Sequence, residues 1–227
     1  MNITAFNARD ALMHGAAERL ERALRTGIAA RGAACAALSG GSTPEPAYAA
    51  LARADLDWSK VTFVLVDERF VPPSDPGSNE AMLRRALAPA LAKGARLFPM
   101  YGPGEAEDAA SRADAVYAPL HIDIALMGMG TDGHTASWFP GSPQRDAALD
   151  PAGGRTVMAV RAPGAAGASE RLTLSFAALS RADHVLLLIT GEEKRERLAE
   201  AASQSMAQAP VVALLRLGQR FETYYAP

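Results

Sequence analysis

Residues 122–134 read IDIALMGMGTDGH, an apolar run that passes directly into a turn rich in glycine. A short apolar run bounded by turn residues is typical of a strand that is buried on both faces of a parallel sheet. The turn presents Asp132 and His134 directly after that strand. In open α/β sheets, ligands bind at the carboxyl ends of the strands. The stretch therefore predicts an α/β fold with a functional site at this edge of the sheet.

The same alternation of apolar runs and helix-like segments extends over the rest of the chain. Further strands are predicted at 33–38, 61–66, around Leu97, at 157–160, 172–174, 185–189 and 211–215. Helices are predicted at 8–31, 44–53, 79–88, 105–118 and 192–201. Thr43 and Ser78 are suitable N-cap residues for the second and third of these helices. This order predicts a mostly parallel, Rossmann-like sheet covered by helices on both faces.

The composition limits the class of protein. With 227 residues, 49% of them hydrophobic, the chain can bury one sizeable core, so a single domain over residues 1–227 is expected. The net charge of −2 and the lack of a basic tract argue against nucleic acid as a partner. No apolar run reaches the ~20 residues of a membrane span, and Met1–Asp10 carries no signal-peptide core. The lone Cys35 excludes an internal disulfide, and these features together predict a cytoplasmic protein.

The first segment with chemical potential is LSGGSTP, residues 38–44, at the end of a predicted strand. Gly40 and Gly41 allow backbone amides to approach an anion closely, and Ser42 and Thr43 add hydroxyl donors. Phosphate is the natural guest of such a turn. The glycine spacing and the missing lysine exclude a Walker A loop. An ordinary turn with a helix cap remains the alternative for this segment taken alone.

The second segment is VDERFVPP, residues 66–73, most of which lies in a predicted loop over 67–77 that leads to Asn79. Asp67, Glu68 and Arg69 stand immediately after a buried strand, at the edge where a ligand is expected. Arg69 could bind a phosphate or carboxylate group, and Asp67 could orient a neighbouring base. Consecutive charges at a strand end are also common on solvated surfaces, so both interpretations stay open. Asn79 has no signal of its own and enters the predicted set of substrate contacts by its place in this segment.

The third segment carries the sharpest prediction, at Asp132 and His134. A histidine can take a proton from water near neutral pH, and a nearby carboxylate can hold its tautomer. Residues 128–133 also match G-x-G-x-x-G, but Pro140 and Pro143 leave no room for the long helix that a dinucleotide site needs. No nicotinamide or other cofactor is therefore expected. No GxSxG elbow is present, and no spacing of potential ligands predicts a metal site.

Two further cations lie at predicted strand edges. Arg171 begins the strand at 172–174, and Lys194 lies in the first turn of the helix that follows the strand at 185–189. Each is an ordinary surface cation when taken alone, but its place at a strand edge makes it a candidate for phosphate binding. The other histidines carry no comparable signal.

These segments, in this order, resemble the 6-phosphogluconolactonase family. The stretches that carry the resemblance are LSGGSTPEPAYAAL at 38–51, VDERFVPPSDPGSNEAMLRRAL at 66–87, DIALMGMGTDGHTASWFPGS at 123–142, RLTLSFAALSRADHVLLLITGEEKRE at 171–196 and APVVALL at 209–215. The resemblance implies an α/β/α sandwich related to the glucosamine-6-phosphate deaminase and ribose-5-phosphate isomerase group. It also implies hydrolysis of 6-phospho-D-glucono-1,5-lactone, in the oxidative pentose phosphate pathway, without a metal.

The resemblance assigns roles to individual residues. His134 matches the proposed general base of the family, with Asp132 in the same motif, and Asp67 and Arg69 match the DER positions at the edge of the active site. The positions associated with the phosphate are Gly41, Ser42, Thr43, Arg171 and Lys194, and the predicted substrate-binding set also includes Gly40, Arg69, Asn79 and Gly130. The chain departs from the family after residue 174, where the usual proline and asparagine are missing, which puts any role of the helix start there in doubt.

Two alternatives of different classes remain. Glucosamine-6-phosphate deaminase shares the GSTP-type and DGH turns, but it continues DGHIAFNEP with a glutamate, whereas this chain continues DGHTASWFP without an acid. A sugar-phosphate sensor domain is the binding-module alternative, although the first predicted strand begins by residue 33 and leaves no room for a preceding DNA-binding unit. The expected partner is a small sugar-phosphate lactone, bound by a monomer or small homo-oligomer without membrane or nucleic acid.

Overall fold

The computed structural model describes residues 3–165 and 167–227, in which strands and helices alternate along most of the chain. The strands are β1 (Ile3–Ala5), β2 (Ala34–Leu38), β3 (Val61–Leu65), β4 (Asp67–Arg69), β5 (Arg96–Phe98), β6 (Ile124–Met127), β7 (Val157–Arg161), β8 (Glu170–Leu174), β9 (His184–Thr190) and β10 (Phe221–Ala226). The α-helices are α1 (Arg9–Arg31), α2 (Glu45–Leu51), α3 (Asn79–Ala86), α4 (Ala88–Ala92), α5 (Ala106–Tyr117), α6 (Arg145–Leu149), α7 (Phe176–Leu179), α8 (Glu192–Ala201) and α9 (Val212–Leu215). Single 3-10 turns lie at Trp58–Lys60 and Gly218–Arg220.

Seven strands form a central sheet in which every neighbouring pair is parallel, in the order β1-β10-β9-β6-β2-β3-β5. From β2 the chain proceeds outward through β3 to β5, and it then returns to β6 and proceeds in the other direction through β9 to β10. The strand order therefore reverses between β2 and β6, which is where ligands bind in Rossmann-like sheets. The predicted mostly parallel sheet is confirmed.

Helices flank this sheet and complete the three-layer α/β/α sandwich that was predicted. Helix α1 packs across β2, β6, β9 and β10. Its apolar face buries Leu12, Leu20 and Leu24 completely, because these residues recur at helical spacing. Gly32 ends the helix in a left-handed conformation with φ of 77°, and its N–H donates to the carbonyl of Ile28. No helix in residues 3–165 and 167–227 is long and apolar enough to cross a membrane.

A second, smaller sheet was not predicted, and it changes the interpretation of residues 67–69. These residues were predicted to begin a loop, but they form β4, which pairs with β8 in the antiparallel order β4-β8-β7. The chain can form a second strand so soon after β3 because the backbone of residues 67–69 pairs with that of β8. Successive side chains of a strand point to opposite faces of the sheet, so Asp67 and Arg69 share one face and Glu68 points to the other. The cross-strand partner of Asp67 is Thr173, and that of Arg69 is Arg171.

Several local predictions are settled by the structure. Ser78 does cap α3, since its hydroxyl accepts from the N–H of Ala81 at 3.2 Å. The predicted cap at Thr43 is wrong, because the chain becomes helical only after Pro44, which itself occupies the N-cap position of α2. The strand predicted at 211–215 is instead the short helix α9. The stretch at 162–168 is rich in glycine, alanine and proline, a composition that predicts a loop; it lies between β7 and β8, and Ala166 within it lies outside the described residues.

Candidate active site

A cavity of about 360 Å³ lies at the carboxyl ends of β3, β2, β6 and β9, which are neighbours in the central sheet. All three segments singled out in the sequence, together with the start of α8, follow these strands and meet at this cavity. The predicted site residues that line it are Gly40, Gly41, Ser42, Thr43, Asp67, Arg69, Asn79, Gly130, His134, Arg171 and Lys194. Asp132, the remaining predicted residue, lies behind His134 and contacts it.

The turn at residues 40–43 lines the cavity with several hydrogen-bond donors. Among the residues that the structure describes, the backbone N–H groups of Gly40, Gly41, Ser42 and Thr43 have no hydrogen-bond acceptor, and neither hydroxyl is bonded. Gly41 has a φ of 99°, a conformation that residues with a Cβ rarely adopt. A Cβ at Gly40 would lie 1.8 Å from Oδ1 of Asn79, so this glycine permits the close approach of two segments. The turn is built to accept an anion.

Three cations border the same cavity. Arg69 and Arg171 lie directly opposite each other across the β4–β8 pair, an arrangement that is repulsive until an anion lies between them. Burial lowers the pKa of Arg171, while the neighbouring Asp67 carboxylate opposes that shift. Burial also lowers the pKa of Lys194, which forms no hydrogen bond or ion pair with any residue in the described ranges. Lys194 therefore brings to this edge a positive charge that no ion pair within the described residues compensates.

Asn79 orients the guanidinium group of Arg69. Nη1 of Arg69 donates to Oδ1 of Asn79 at 2.8 Å and to the carbonyl of Gly77 at 2.7 Å. The amide group of Asn79 in turn donates from Nδ2 to the backbone carbonyl of Asp67 at 2.8 Å. Both of these hydrogen bonds of the Arg69 side chain are made by Nη1. Its other terminal nitrogen, Nη2, has no protein acceptor among the described residues.

Glu68 has a structural role that its neighbours in the sequence do not share. Its side chain is fully buried and accepts from the N–H groups of Arg69, Asn79 and Glu80 at 2.7–2.8 Å and from the hydroxyl of Ser78 at 3.1 Å. Burial raises the pKa of Glu68 to about 7, and the three N–H donors counteract this rise. The carboxyl group joins β4 to the start of α3, and it thereby fixes the place of Asn79.

Asp132 and His134 form a hydrogen-bonded pair at the turn after β6. Oδ1 of Asp132 accepts from the backbone N–H of His134 at 3.0 Å and lies 2.5 Å from Nδ1 of the ring. Burial acts to raise the pKa of Asp132, but the two hydrogen bonds from His134 outweigh it and lower the pKa below its usual value. An ionised Asp132 holds the proton of the ring on Nδ1, which leaves Nε2 as an acceptor.

Gly130 provides the space for this histidine ring. A Cβ at position 130 would lie 2.2 Å from Cε1 of His134, so no larger residue fits without displacing the ring. The backbone N–H of Gly130 donates to the carbonyl of His134 at 3.0 Å. Gly130 borders the cavity as predicted, but its own amide is not free to bind a substrate.

A family model described as glucosamine-6-phosphate isomerases/6-phosphogluconolactonase matches residues 7–223. The chain is 42% identical to a 6-phosphogluconolactonase of Rhizobium meliloti (strain 1021), over 100% of this chain and 99% of that protein. It is also 40% identical to a 6-phosphogluconolactonase of Caulobacter vibrioides, over 95% of this chain and 93% of the other. The chain belongs to the 6-phosphogluconolactonase family.

A solved structure supports the same assignment. The crystal structure of a 6-phosphogluconolactonase from Shewanella baltica OS155 superposes with a TM-score of 0.93 at 29% identity, covering 100% of this chain and 98% of the other. The resemblance found in the sequence is therefore confirmed. The prediction of an enzyme of the 6-phosphogluconolactonase type is confirmed with it.

Within this 6-phosphogluconolactonase fold, two residues that the sequence reasoning missed contact the predicted site. The ring of Phe139 stacks on that of His134 with centroids 4.2 Å apart, and Cζ of Arg171 lies 5.8 Å from the Phe139 centroid. Ser137 donates from Oγ to Oδ2 of Asp67 at 2.7 Å. Asp67 thus binds Ser137, while Asp132 is the residue that holds the histidine. The only available signal was the position of Ser137 and Phe139 shortly after His134, within a stretch already singled out.

A second group of titratable side chains lies at the opposite end of the sheet, before β6 and β9. One ligand-type atom each of His121, Asp123 and Asp183 lies within 4.8 Å of the others, a proximity that their sequence spacing did not predict. Arg31 forms ion pairs with both aspartates, and Asp123 also accepts from the N–H of Cys35 at 2.8 Å. This cluster is bound together by its own ion pairs.

Proposed function

We propose that this chain hydrolyses 6-phospho-D-glucono-1,5-lactone to 6-phospho-D-gluconate, as part of the oxidative pentose phosphate pathway. The observation that carries the proposal is that one cavity is lined both by His134 of the Asp132–His134 pair and by the turn amides of residues 40–43, which have no hydrogen-bond acceptor in the described part of the chain. The relatives named 6-phosphogluconolactonase support it. The single domain over residues 1–227, the cytoplasmic location and the monomer or small homo-oligomer remain predictions.

The 6-phosphate of the substrate binds at the turn of residues 40–43 in this proposal. A phosphate dianion would accept from the backbone N–H groups of Gly41, Ser42 and Thr43, and Arg171 and Lys194 would neutralise its charge. Binding energy from this remote group fixes the lactone ring against the catalytic residues. The phosphate also relieves the repulsion between the cations that border the cavity.

His134 acts as the general base. Because Asp132 holds the proton on Nδ1, Nε2 accepts a proton from a water molecule as that water attacks C1 of the lactone. Nε2 then returns the proton to the ring oxygen as the C1–O bond breaks, which opens the lactone to the acid. This chemistry moves only protons and water, so the proposed steps draw on no cofactor.

Arg69 is the proposed donor to the oxyanion that develops on the carbonyl oxygen. Its guanidinium group is held by Asn79 and retains Nη2 for the substrate. The amide of Gly130 does not compete for this role, because its N–H already donates to the carbonyl of His134. A fixed cation needs little reorganisation when charge develops on the oxygen, which is the condition for electrostatic catalysis.

An assay of lactone hydrolysis tests this proposal, with glucosamine 6-phosphate offered in parallel. The lactone is generated in situ, its spontaneous hydrolysis is subtracted, and the assay is repeated with a chelator. We expect acceleration that the chelator does not change and no release of ammonia from glucosamine 6-phosphate. Ammonia release, or binding of sugar phosphates without lactone hydrolysis, would move the chain to the deaminase or the sensor alternative.

A further inference from the structure

The hydrogen bond between Ser137 and Asp67 joins the two segments that border the chemical end of the cavity. The two residues are 70 positions apart in the chain, and Oγ of Ser137 lies 2.7 Å from Oδ2 of Asp67. Ser137 is fully buried and Asp67 is 9% exposed. A hydrogen bond to a buried carboxylate is among the stronger ones in proteins, so this contact fixes the orientation of the side chain.

The backbone around Ser137 has an unusual conformation and is hydrogen-bonded to β8. Ala136 has a φ of 49°, and it is the non-glycine residue with positive φ in residues 3–165 and 167–227. Such a conformation is costly for a residue with a Cβ, and it persists only where the surroundings enforce it. The N–H of Ser137 donates to Oγ1 of Thr173 at 3.2 Å, and the indole of Trp138 donates to the carbonyl of Leu174 at 2.8 Å. Both contacts fasten the segment to β8.

The hydrogen bond from Ser137 gives Asp67 a partner other than the neighbouring arginines. Asp67 is close enough to Arg171 to influence its pKa, yet no ion pair within 4.0 Å joins Asp67 to Arg69 or Arg171 among the described residues. A carboxylate that turned toward either guanidinium would neutralise a cation that the substrate needs. The serine donor gives one carboxylate oxygen a partner that carries no charge.

The second oxygen of Asp67 remains available. Asp67 lines the cavity, and Oδ1 has no hydrogen-bond donor among the described residues. An ionised carboxylate is an acceptor only, so its natural partner in a small-molecule site is a hydroxyl or amine. The ring of a sugar lactone offers hydroxyl groups.

We propose that Ser137 is a positioning residue, which holds Asp67 so that its free oxygen accepts a hydrogen bond from a ring hydroxyl of the sugar lactone. The inference rests on the proposed lactone hydrolysis. It adds a residue that touches no substrate atom and acts only through Asp67.

A double-mutant cycle tests the inference, because a residue that acts through another loses its effect when that other residue is removed. Wild type, Ser137→Ala, Asp67→Ala and the double variant are compared in kcat/KM for lactone hydrolysis and in Kd for 6-phosphogluconate. We expect Ser137→Ala to reduce kcat/KM and weaken product binding about tenfold in the wild-type background. In the Asp67→Ala background the same change should have less than about a twofold effect.

The control is Ser142→Ala, which removes another buried serine hydroxyl from the same loop, one that makes no hydrogen bond among the described residues. It should leave both quantities unchanged. Equal losses in the two backgrounds, or no loss in the wild-type background, would overturn the inference. If the alanine variant does not fold, Ser137→Cys, a similar side chain with a weak donor, enters the same cycle. Should the wild type bind 6-phosphogluconate without hydrolysing the lactone, the proposed function fails while the Kd cycle still decides the role of Ser137.

Discussion

The central sheet carries an aspartate–histidine pair at each of its ends, and the two pairs have similar geometry. At the carboxyl end, Oδ1 of Asp132 lies 2.5 Å from Nδ1 of His134. At the amino end, Oδ2 of Asp183 lies 2.8 Å from Nε2 of His121. Both pairs are partly exposed, so neither distance nor exposure alone tells which of them is catalytic.

The surroundings of the two pairs differ. At the amino end, Arg31 binds Asp123 and Asp183, so the nearby charges satisfy one another. At the carboxyl end, the amides of residues 40–43 and the ammonium group of Lys194 have no partner in the described part of the chain. The pair at the carboxyl end is therefore the one that lies beside hydrogen-bond donors and a cation that a ligand can engage.

The largest difference is expected from removing each histidine. His134→Ala should lower kcat/KM for the lactone at least about 100-fold after subtraction of the spontaneous reaction, because the general base is lost. His121→Ala, the matched control, should change kcat/KM less than about twofold. Equal losses of kcat/KM in the two variants would contradict the claim that only the pair at the carboxyl end of the sheet is catalytic.

Replacing each aspartate by asparagine should give the next largest contrast. In Asp132→Asn, the amide can donate to Nδ1 and thereby favour the ring tautomer with its proton on Nε2, which cannot accept from water. We expect a loss of about 30- to 100-fold in kcat with little change in KM. Asp183→Asn serves as the control and should retain the wild-type kcat. An unchanged kcat in Asp132→Asn would show that Asp132 does not set the tautomer.

A smaller effect, confined to substrate binding, is expected from Lys194→Met. Losing one cation that contacts the phosphate should raise KM about tenfold while kcat changes little. Hydrolysis of unphosphorylated glucono-1,5-lactone should be the same in the variant and the wild type. Lys93→Met, at the exposed position directly after α4, is the control for loss of one positive charge. A matching loss on the unphosphorylated lactone would place Lys194 at the chemistry and not at the phosphate.

The smallest effect concerns stability and pH. The pKa of Asp132 is lower in the folded protein than in the unfolded chain. Its ionised form therefore stabilises the fold fully at pH values above the ordinary aspartate pKa near 4. This stabilisation is lost as the pH falls through the pKa of Asp132 in the folded protein. Wild type should therefore have a higher Tm than Asp132→Asn at pH 5, with a gap that narrows below about pH 4. Thermal unfolding followed by circular dichroism measures both. A gap that widens on acidification would contradict the lowered pKa.

The sequence was sufficient to predict the central sheet and the meeting of the site residues. Residues 39–44, 67–69 and 128–134 each follow a buried apolar run, and the carboxyl ends of parallel strands meet at one edge. The prediction failed for Val212–Leu215, since a run of four apolar residues does not distinguish a strand from a helical turn. Strands β1 and β10 were also missed, because polar residues interrupt their short runs.

The internal organisation of the site could not be predicted in the same way. Asp67, Glu68 and Arg69 looked equivalent as consecutive charges, but the alternation of a strand directs Asp67 and Arg69 to the cavity and Glu68 to the buried start of α3. That distinction requires β8, which lies about 100 residues further along the chain. The partner of Asp67 is 70 positions away in the chain, and no local pattern identifies Ser137 as the serine that reaches it.

The central claim is that one cavity binds the phosphate at one end and carries out proton transfer at the other. A crystal structure of the wild-type protein with 6-phosphogluconate tests it most directly. We expect the phosphate oxygens within about 3.2 Å of the amides of residues 41–43 and of Nζ of Lys194. The carboxylate carbon should lie within about 4 Å of Nε2 of His134. A phosphate bound beside His134, or a product bound outside this cavity, would contradict the account.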